Sequence, residues 1–256
     1  MVCKTCGCEN HDGSIYCRTC GAKLYQVRSV GNTIYIDDCE LEMIHVSGGS
    51  FMMGNEKGVL LEHYTLHSVT LDDYFICATP VTQRLWFLIM GPDNPKLYNN
   101  ISPDFPIHSV SWNQCMEFIL KLNEITGMNF RMPTEAEWEY AARGGNLSRG
   151  YKYSGGNRLS KVGIRSEWNN RLDPVRSKLP NELGVYDMSG GVWEWCSDWY
   201  GDYSSSNAFN PKGPTSGEYK IQRGGSYCSD EECCRPYYRL SMTPGHDIDC
   251  GLRLAL

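Results

Sequence analysis

Two Cys-x-x-Cys-Gly units near the N-terminus constrain the local fold more than any other feature of this sequence. They run from Cys3 to Gly7 and from Cys17 to Gly21, with ten residues between the inner cysteines. Each unit places two thiolates on one tight turn, and its glycine permits the backbone angle that points amides at sulfur. The spacing predicts a zinc ribbon over residues 1–24, with four ligands: Cys3, Cys6, Cys17 and Cys20.

Four thiolates would fill every position of a tetrahedral zinc ion, so no water could be activated there and the predicted site is structural. The alternative is a thioredoxin-like redox pair. That motif occurs singly at a strand-to-helix junction, whereas here it is doubled within the first 21 residues. The repetition favours the metal.

The bulk composition predicts a globular protein that is not exported from the compartment in which it is synthesised. Its formal charge of -6 gives no basic field for nucleic acid or an anionic membrane. No apolar run approaches the ~20 residues of a membrane span, and residues 1–9 lack the apolar core of a signal peptide. We therefore expect a cytoplasmic protein without nucleic-acid or membrane partners, whose 13 cysteines are reduced thiols or metal ligands.

The rest of the chain predicts one large α+β domain over residues 41–256, preceded by a linker and first strand over residues 25–40. A connector is expected over residues 22–32, where Gly31 and Asn32 favour a turn. Two β-rich runs flank the glycines of residues 47–50 and predict a hairpin. Helices are expected over residues 81–90, after a capping box at Ser111, and after a second at Thr134.

The motifs of the large domain, in sequence order, resemble those of the formylglycine-generating-enzyme (sulfatase-modifying factor) family. The matching segments are Gly48 to Gly54, Pro80 to Thr82, Val110 to Trp112, Arg131 to Glu139, Ala141 to Gly145, Pro180 to Met188, Gly190 to Trp195, Arg223 to Tyr227, and Gly251 to Arg253. Their common order is far more specific than any single one. The resemblance implies a fold related to C-type lectins, with little regular secondary structure.

The family includes oxidases that use copper and O2 to convert a sulfatase cysteine to formylglycine, and also many members without that activity. In the oxidases, two cysteines separated by four residues bind Cu(I). Cys228 and Cys233 have that separation here. The resemblance makes these two residues candidate catalytic residues together with Ser226 and Trp193.

The local sequence also departs from the oxidase pattern. Cys228 follows Tyr227 directly, and Ser229 stands where the oxidases have His. The acidic residues 230–232 would raise the pKa of neighbouring thiols, which is the opposite of what an activated thiolate needs. These departures favour a binding module over an oxidase.

The resemblance further implies a calcium site, because Ca2+ takes hard oxygen ligands. The ligands would be the side chains of Asp187 and Glu194 and the carbonyls of Gly190 and Val192. The alternative is a buried turn beside Trp193 and Trp195 without metal.

A third interpretation concerns the C-terminal end, which resembles the variable proteins of diversity-generating retroelements. Fixed elements there alternate with unexpected residues, and no Asn occurs after Pro211. The candidate ligand-binding residues are Cys228, Ser229, Leu240, Met242, His246, Ile248 and Cys250. The function that we expect first is a binding module for a protein or small ligand. The copper oxidase and the retroelement variable protein remain alternatives.

Overall fold

The computed structural model describes residues 1–55, 65–91, 102–165, 172–203, 206–246 and 248–256. The strands in these ranges are β1 (Val27–Val30), β2 (Thr33–Ile36), β3 (Cys39–Val46), β4 (Gly49–Met53), β5 (His67–Leu71), β6 (Tyr74–Cys77), β7 (Trp193–Trp199), β8 (Ala208–Phe209), β9 (Lys220–Arg223), β10 (Arg239–Met242) and β11 (Cys250–Leu252). The helices are α1 (Gln83–Met90), α2 (Trp112–Thr126), α3 (Glu135–Ala142) and α4 (Leu159–Val162), with a 3-10 turn at Gly145–Leu147. Short strands and few helices confirm the α+β prediction.

The strands form three small sheets with the orders β1-β2-β3-β6, β10-β9-β7-β11 and β4-β5-β8. Most neighbouring strands are antiparallel, but β11 runs parallel to β7 and β8 runs parallel to β5. The second sheet holds the C-terminal motifs. Its strands β7 and β9 carry side chains that are almost all buried, so this sheet is the rigid support of the C-terminal loops.

The predicted hairpin around residues 47–50 is wrong. Strand β3 pairs with β2 and β6, whereas β4 pairs with β5. The chain crosses from one sheet to the other at Gly48, where a Cβ would lie 2.4 Å from the carbonyl oxygen of Leu71. The Gly48 amide also donates to Asp73, in the neighbouring crossover between β5 and β6. The glycines allow two crossing segments to touch and do not form a hairpin turn.

The predicted connector over residues 22–32 is also wrong in part. Strand β1 lies inside it and pairs with β2 from Val27 opposite Ile36 to Val30 opposite Thr33. The Gly31–Asn32 turn was expected, but it joins two strands of a sheet. The ribbon is therefore followed directly by a hairpin that continues into β3.

The three expected helices begin at capping residues, although α1 starts at Gln83, two residues after the expected Val81. Thr82 caps α1 by accepting from the Leu85 amide. Ser111 and Thr134 form the predicted capping boxes with Gln114 and Glu137. Six residues at helical spacing predict the core side of α2. Four of them are buried, and two are half-buried against the core: Cys115, Phe118, Ile119 and Leu122, and then Trp112 and Ile125. No helix in the described ranges is both long and apolar enough to cross a bilayer.

Buried ion pairs tie the distant motifs together. Arg223 donates to Glu135 and Glu139, and Arg239 donates to both oxygens of Glu135. All four side chains are at most 5% exposed. Because a buried charge without a partner is costly, these pairs fix β9 and β10 against α3.

Candidate functional site

The four predicted zinc ligands come together at the N-terminus. Their sulfur atoms all lie within 4.8 Å of one another, and Cys3–Cys20 and Cys6–Cys17 are each 3.6 Å apart. A tetrahedral ion with Zn–S bonds of about 2.3 Å would separate its sulfurs by about 3.8 Å. The cluster therefore has the size and donor set of a metal site.

The two turns of this cluster share one geometry. Gly7 donates to the Cys3 carbonyl and Gly21 to the Cys17 carbonyl, and both glycines have φ near +70°. Amides of Cys20 and Thr19 that point at sulfur lower the pKa of Cys17 to about 5. Cys8 is not one of the four clustered ligands: its thiol accepts from Thr19 Oγ1. The repeated turn explains why the sequence signal was strong.

The turn at Gly190 and Gly191 lies between two predicted calcium ligands, Asp187 and Glu194. Both glycines have left-handed φ values, and a Cβ on Gly190 would lie 2.1 Å from the Ile164 carbonyl oxygen. Burial raises the pKa of Asp187, and the charge of Glu194 adds to this to a smaller extent. Only glycine fits position 190, so the close approach of the segments around Gly190 and Ile164 depends on it.

Asp187 carries the clearest sign of a missing partner at this turn. Its side chain is 5% exposed and Oδ2 accepts from the Arg176 amide, whereas Oδ1 has no hydrogen-bond partner among the described residues. Burial raises the pKa of Asp187 to about 6. A buried carboxylate oxygen without a partner fits the donor set that a hard cation prefers.

A loop cluster around Cys228 follows strand β9. The Cys228 thiol donates to Asp249 Oδ2 at 2.9 Å and lies 3.2 Å from Ser226 Oγ. Tyr227 donates to the other oxygen of Asp249 at 3.1 Å. Desolvation and the bond to Asp249 both raise the pKa of Cys228, so the thiol is protonated at neutral pH.

Cys233 has a different environment. It is half-buried against the core, where Tyr238 packs as well. Desolvation and the charge of Asp230 raise its pKa, although a hydrogen bond with Tyr238 opposes this. Trp193, the remaining catalytic candidate, is 7% exposed and packs on Tyr238 with ring centroids 6.1 Å apart. Neither cysteine has the lowered pKa of an activated thiolate.

The candidate ligand-binding residues differ in exposure. Cys228 is exposed, and Ile248 is 65% exposed. Ser229 and His246 are half-buried. Leu240 and Met242 are half-buried and pack on the first core cluster. The more accessible side chains are therefore those of Cys228, Ile248, Ser229 and His246.

Cys250 does not belong to that surface. Its side chain is 0% exposed, contacts Gln222 Nε2, and donates to the Ile248 carbonyl. Strand β11 pairs parallel with β7, which turns Cys250 into the core beside Cys115. An inward-facing strand position cannot touch a ligand at the surface.

The sequence reasoning missed Asp249 and His108. Asp249 binds Cys228 and Tyr227, and its backbone has the left-handed φ of 53° that Asp tolerates. His108 is 6% exposed, and within the described ranges its Nε2 has no hydrogen-bond partner. Burial lowers the pKa of His108, while the charge of Asp249 opposes this. No local motif marks either residue, because their neighbours lie far away in the chain.

Comparisons with known proteins agree with the motifs. The profile of the sulfatase-modifying factor enzyme 1-like domain matches residues 37–256. The formylglycine-generating enzyme of Mus musculus is 32% identical over 227 residues, which cover 81% of this chain and 55% of that enzyme. This chain therefore spans about half the length of that relative.

Two solved structures are similar over most of their length. Treponema denticola variable protein 1 has a TM-score of 0.77 and 28% identity, covering 91% of this chain and 99% of that protein. PvdO from Pseudomonas aeruginosa has a TM-score of 0.70 and 27% identity, covering 86% and 95%. Both support a lectin-like formylglycine-generating-enzyme fold.

Proposed function

Because this chain belongs to the sulfatase-modifying factor enzyme 1-like domain family, we propose that it is a binding module for a protein or small ligand. The observation that carries this proposal is that the two cysteines are engaged separately: the Cys228 thiol donates to Asp249, and Cys233 packs against the core beside Tyr238. A Cu(I) ion would need both sulfur atoms as ligands. A neutral thiol in a hydrogen-bonded loop suits ligand contact.

The proposed binding surface is the accessible part of the loops between Tyr227 and Asp249. Cys228 and Ile248 are its most exposed candidates. The loops are irregular but stand on the buried strands β7 and β9. Binding residues are commonly found on loops that a rigid sheet supports.

Calcium at the Gly190–Gly191 turn would support this surface. Gly190 donates to the Gly224 carbonyl at 2.7 Å, and Tyr227 donates to the Gly191 carbonyl at 2.8 Å. The ligands would be Asp187, Gly190, Val192 and Glu194, and the ion would neutralise the two carboxylates. The turn would then hold the base of the Cys228 loop in place.

Zinc is the metal that we propose for the N-terminal cluster of Cys3, Cys6, Cys17 and Cys20. Its chemistry there would be structural, because four thiolates complete the coordination. None of the 13 cysteines forms a disulfide, which fits the proposed cytoplasmic location of the protein.

The competing copper-oxidase function is favoured by the Cys228–Cys233 separation and by relatives named formylglycine-generating enzymes. The deciding assay incubates the full chain with Cu(I), O2 and a Cys-x-Pro-x-Arg peptide, followed by mass spectrometry. We expect unmodified peptide, as in a sample without protein. Conversion to formylglycine that disappears in Cys228→Ser would overturn the binding proposal.

A positive test of binding uses a random peptide library displayed on phage. Peptides that bind the immobilised protein are selected from it, and their affinities are then measured. We expect the enriched peptides to lose at least tenfold in affinity on Ile248→Asp and to be unaffected by Leu147→Asp. These two side chains are similarly exposed, at 65% and 59%. Enriched peptides that respond only to Leu147→Asp would place binding elsewhere and contradict the proposed surface.

A second candidate, the variable protein of a diversity-generating retroelement, is favoured by the similarity to Treponema denticola variable protein 1. The gene would then lie beside a reverse transcriptase and a near-identical template repeat. The repeat would differ from the gene at adenines within the codons of the C-terminal loops. Sequencing of the flanking DNA decides this point, and flanks without both elements would reject it.

A further inference from the structure

A cavity of about 150 Å3 lies apart from the surface proposed above. Its walls come from β4, β5, β8, the start of α3, residues 198–203 and residues 206–214. None of the candidate ligand-binding residues of the C-terminal loops lines it. Most of its wall is apolar, including Met53, Ala136 and Ala208.

His67 offers a hydrogen-bond acceptor to this cavity. The side chain is 6% exposed, its ring packs on Tyr203 with centroids 4.6 Å apart, and Nδ1 lies 2.9 Å from the Thr65 carbonyl oxygen. A carbonyl only accepts, so the proton is on Nδ1 and Nε2 carries a lone pair. In the described part of the chain no group bonds Nε2.

Asp198 offers a second acceptor. It is 5% exposed, and Oδ2 accepts from the Glu135 amide at 3.0 Å and from Ser197 Oγ at 2.9 Å. Oδ1 lies 3.4 Å from the place that a Cβ would occupy on Gly213, another wall residue. Gly213 has a φ of +68°, so a glycine there leaves room in front of Oδ1.

The charges around the cavity favour a cation. Arg239 also lines it, but its Nε and Nη2 donate to Glu135, so the guanidinium is held against that carboxylate. Lys220 lies near Asp198, but its ammonium donates to the Ser197 carbonyl between two indole rings. The acceptors His67 Nε2 and Asp198 Oδ1 therefore remain for a ligand that donates.

We propose that this cavity binds a small organic ammonium ion. Its –NH3+ group donates to His67 Nε2 and Asp198 Oδ1, and its hydrocarbon body lies against Tyr203 and Trp199. The two charge-assisted hydrogen bonds orient the ammonium group, and the aromatic rings give the hydrocarbon an apolar surface. A cavity of about 150 Å3 accommodates a benzene-sized molecule, so the ligand has a short body such as a butyl chain.

The test uses the full chain and n-butylammonium chloride, with binding followed by NMR titration and calorimetry. We expect saturable binding of butylammonium, weaker binding of 1-butanol and none of butyrate. His67→Phe preserves the ring against Tyr203, and Asp198→Asn preserves the two bonds to Oδ2. Each of these two substitutions should weaken the binding of butylammonium about tenfold. His45→Phe, on an exposed histidine, is the matched control and should bind as wild type.

Ala208→Leu gives an independent variant, because it fills the cavity from β8 and leaves both acceptors in place. It should abolish binding without unfolding the chain, which circular dichroism verifies. Butyrate that binds as tightly as butylammonium would overturn the proposal. So would absence of saturable butylammonium binding to wild type, or unchanged affinity in folded Asp198→Asn and Ala208→Leu.

Discussion

Arg253 binds both oxygens of the buried Glu194 carboxylate, with Nη2 2.7 Å from Oε1 and Nε 2.9 Å from Oε2. Trp138 also donates to Oε2, at 2.7 Å. Oε2 therefore has two donors, whereas Oε1 has one and retains a second lone pair. Glu194 can hold the last motif of the chain in place and still offer Oε1 to a cation.

Arg253→Met should lower the free energy of unfolding by about 3–5 kcal/mol, because it leaves Glu194 charged and buried without its main partner. It also removes donors from the Cys77 and Tyr186 carbonyls. Urea denaturation measures the difference. Arg84→Met, which breaks an exposed pair with Asp38, should change stability by at most about 1 kcal/mol. Equal effects of both variants would contradict this role of Arg253.

Calcium should stabilise the chain through Asp187 in a pH-dependent way. The folded pKa of about 6 is raised above the usual value of 3.8, so the folded state binds more protons. The stabilisation that comes from this proton on Asp187 is full below about pH 4 and is lost as the pH rises through 6. Because Ca2+ replaces the proton, it should raise the melting temperature more at pH 7.5 than at pH 5.

The variant Asp187→Asn checks this assignment. Asn also tolerates the left-handed φ of 61° at this position, so the backbone should be unaffected. In EDTA at pH 7.5 we expect Asp187→Asn to be more stable than wild type by about 3 kcal/mol, and to respond little to Ca2+. Asp12→Asn, on a fully exposed carboxylate, should respond to Ca2+ as wild type. The calcium assignment is wrong if Ca2+ raises the melting temperature of Asp187→Asn as much as that of wild type.

Local signals made the helices predictable. The capping boxes at Ser111 and Thr134 each involve residues three apart, so the sequence contains both partners. The four-cysteine cluster is similar, since each turn carries two ligands and a glycine.

Contacts between distant segments were not predictable in this way. Asp249 lies 21 residues after Cys228, and Glu135 lies 88 residues before Arg223. The partner of β3 could not be read from the glycines that follow it, because pairing with β6 depends on the crossover at Gly48. Exposure of Cys250 was misjudged because the register of β11 on β7 decides its direction.

Removal of zinc should unfold the ribbon and leave the large domain intact. The buried ribbon core consists only of Cys3, Cys17 and Leu24, which is too small to fold without a metal. A chelator or Cys6→Ser should collapse the amide NMR signals of residues 1–24 and leave the others dispersed. Cys8→Ser should keep one zinc per chain by elemental analysis. Dispersed ribbon signals in the metal-free protein would contradict the proposal.

The reactivity of Cys228 should be governed by Asp249. Desolvation and the hydrogen bond to this carboxylate raise the thiol pKa, so the reactive thiolate is scarce at neutral pH. Asp249→Asn removes the negative charge and should lower the pKa of Cys228, which makes alkylation by iodoacetamide faster at pH 7.5. Peptide mass spectrometry gives the rate at each pH. Cys8, in the ribbon, provides the internal control, and its rate should be equal in both proteins. A slower or unchanged rate at Cys228 would show that Asp249 does not hold the thiol in its protonated form.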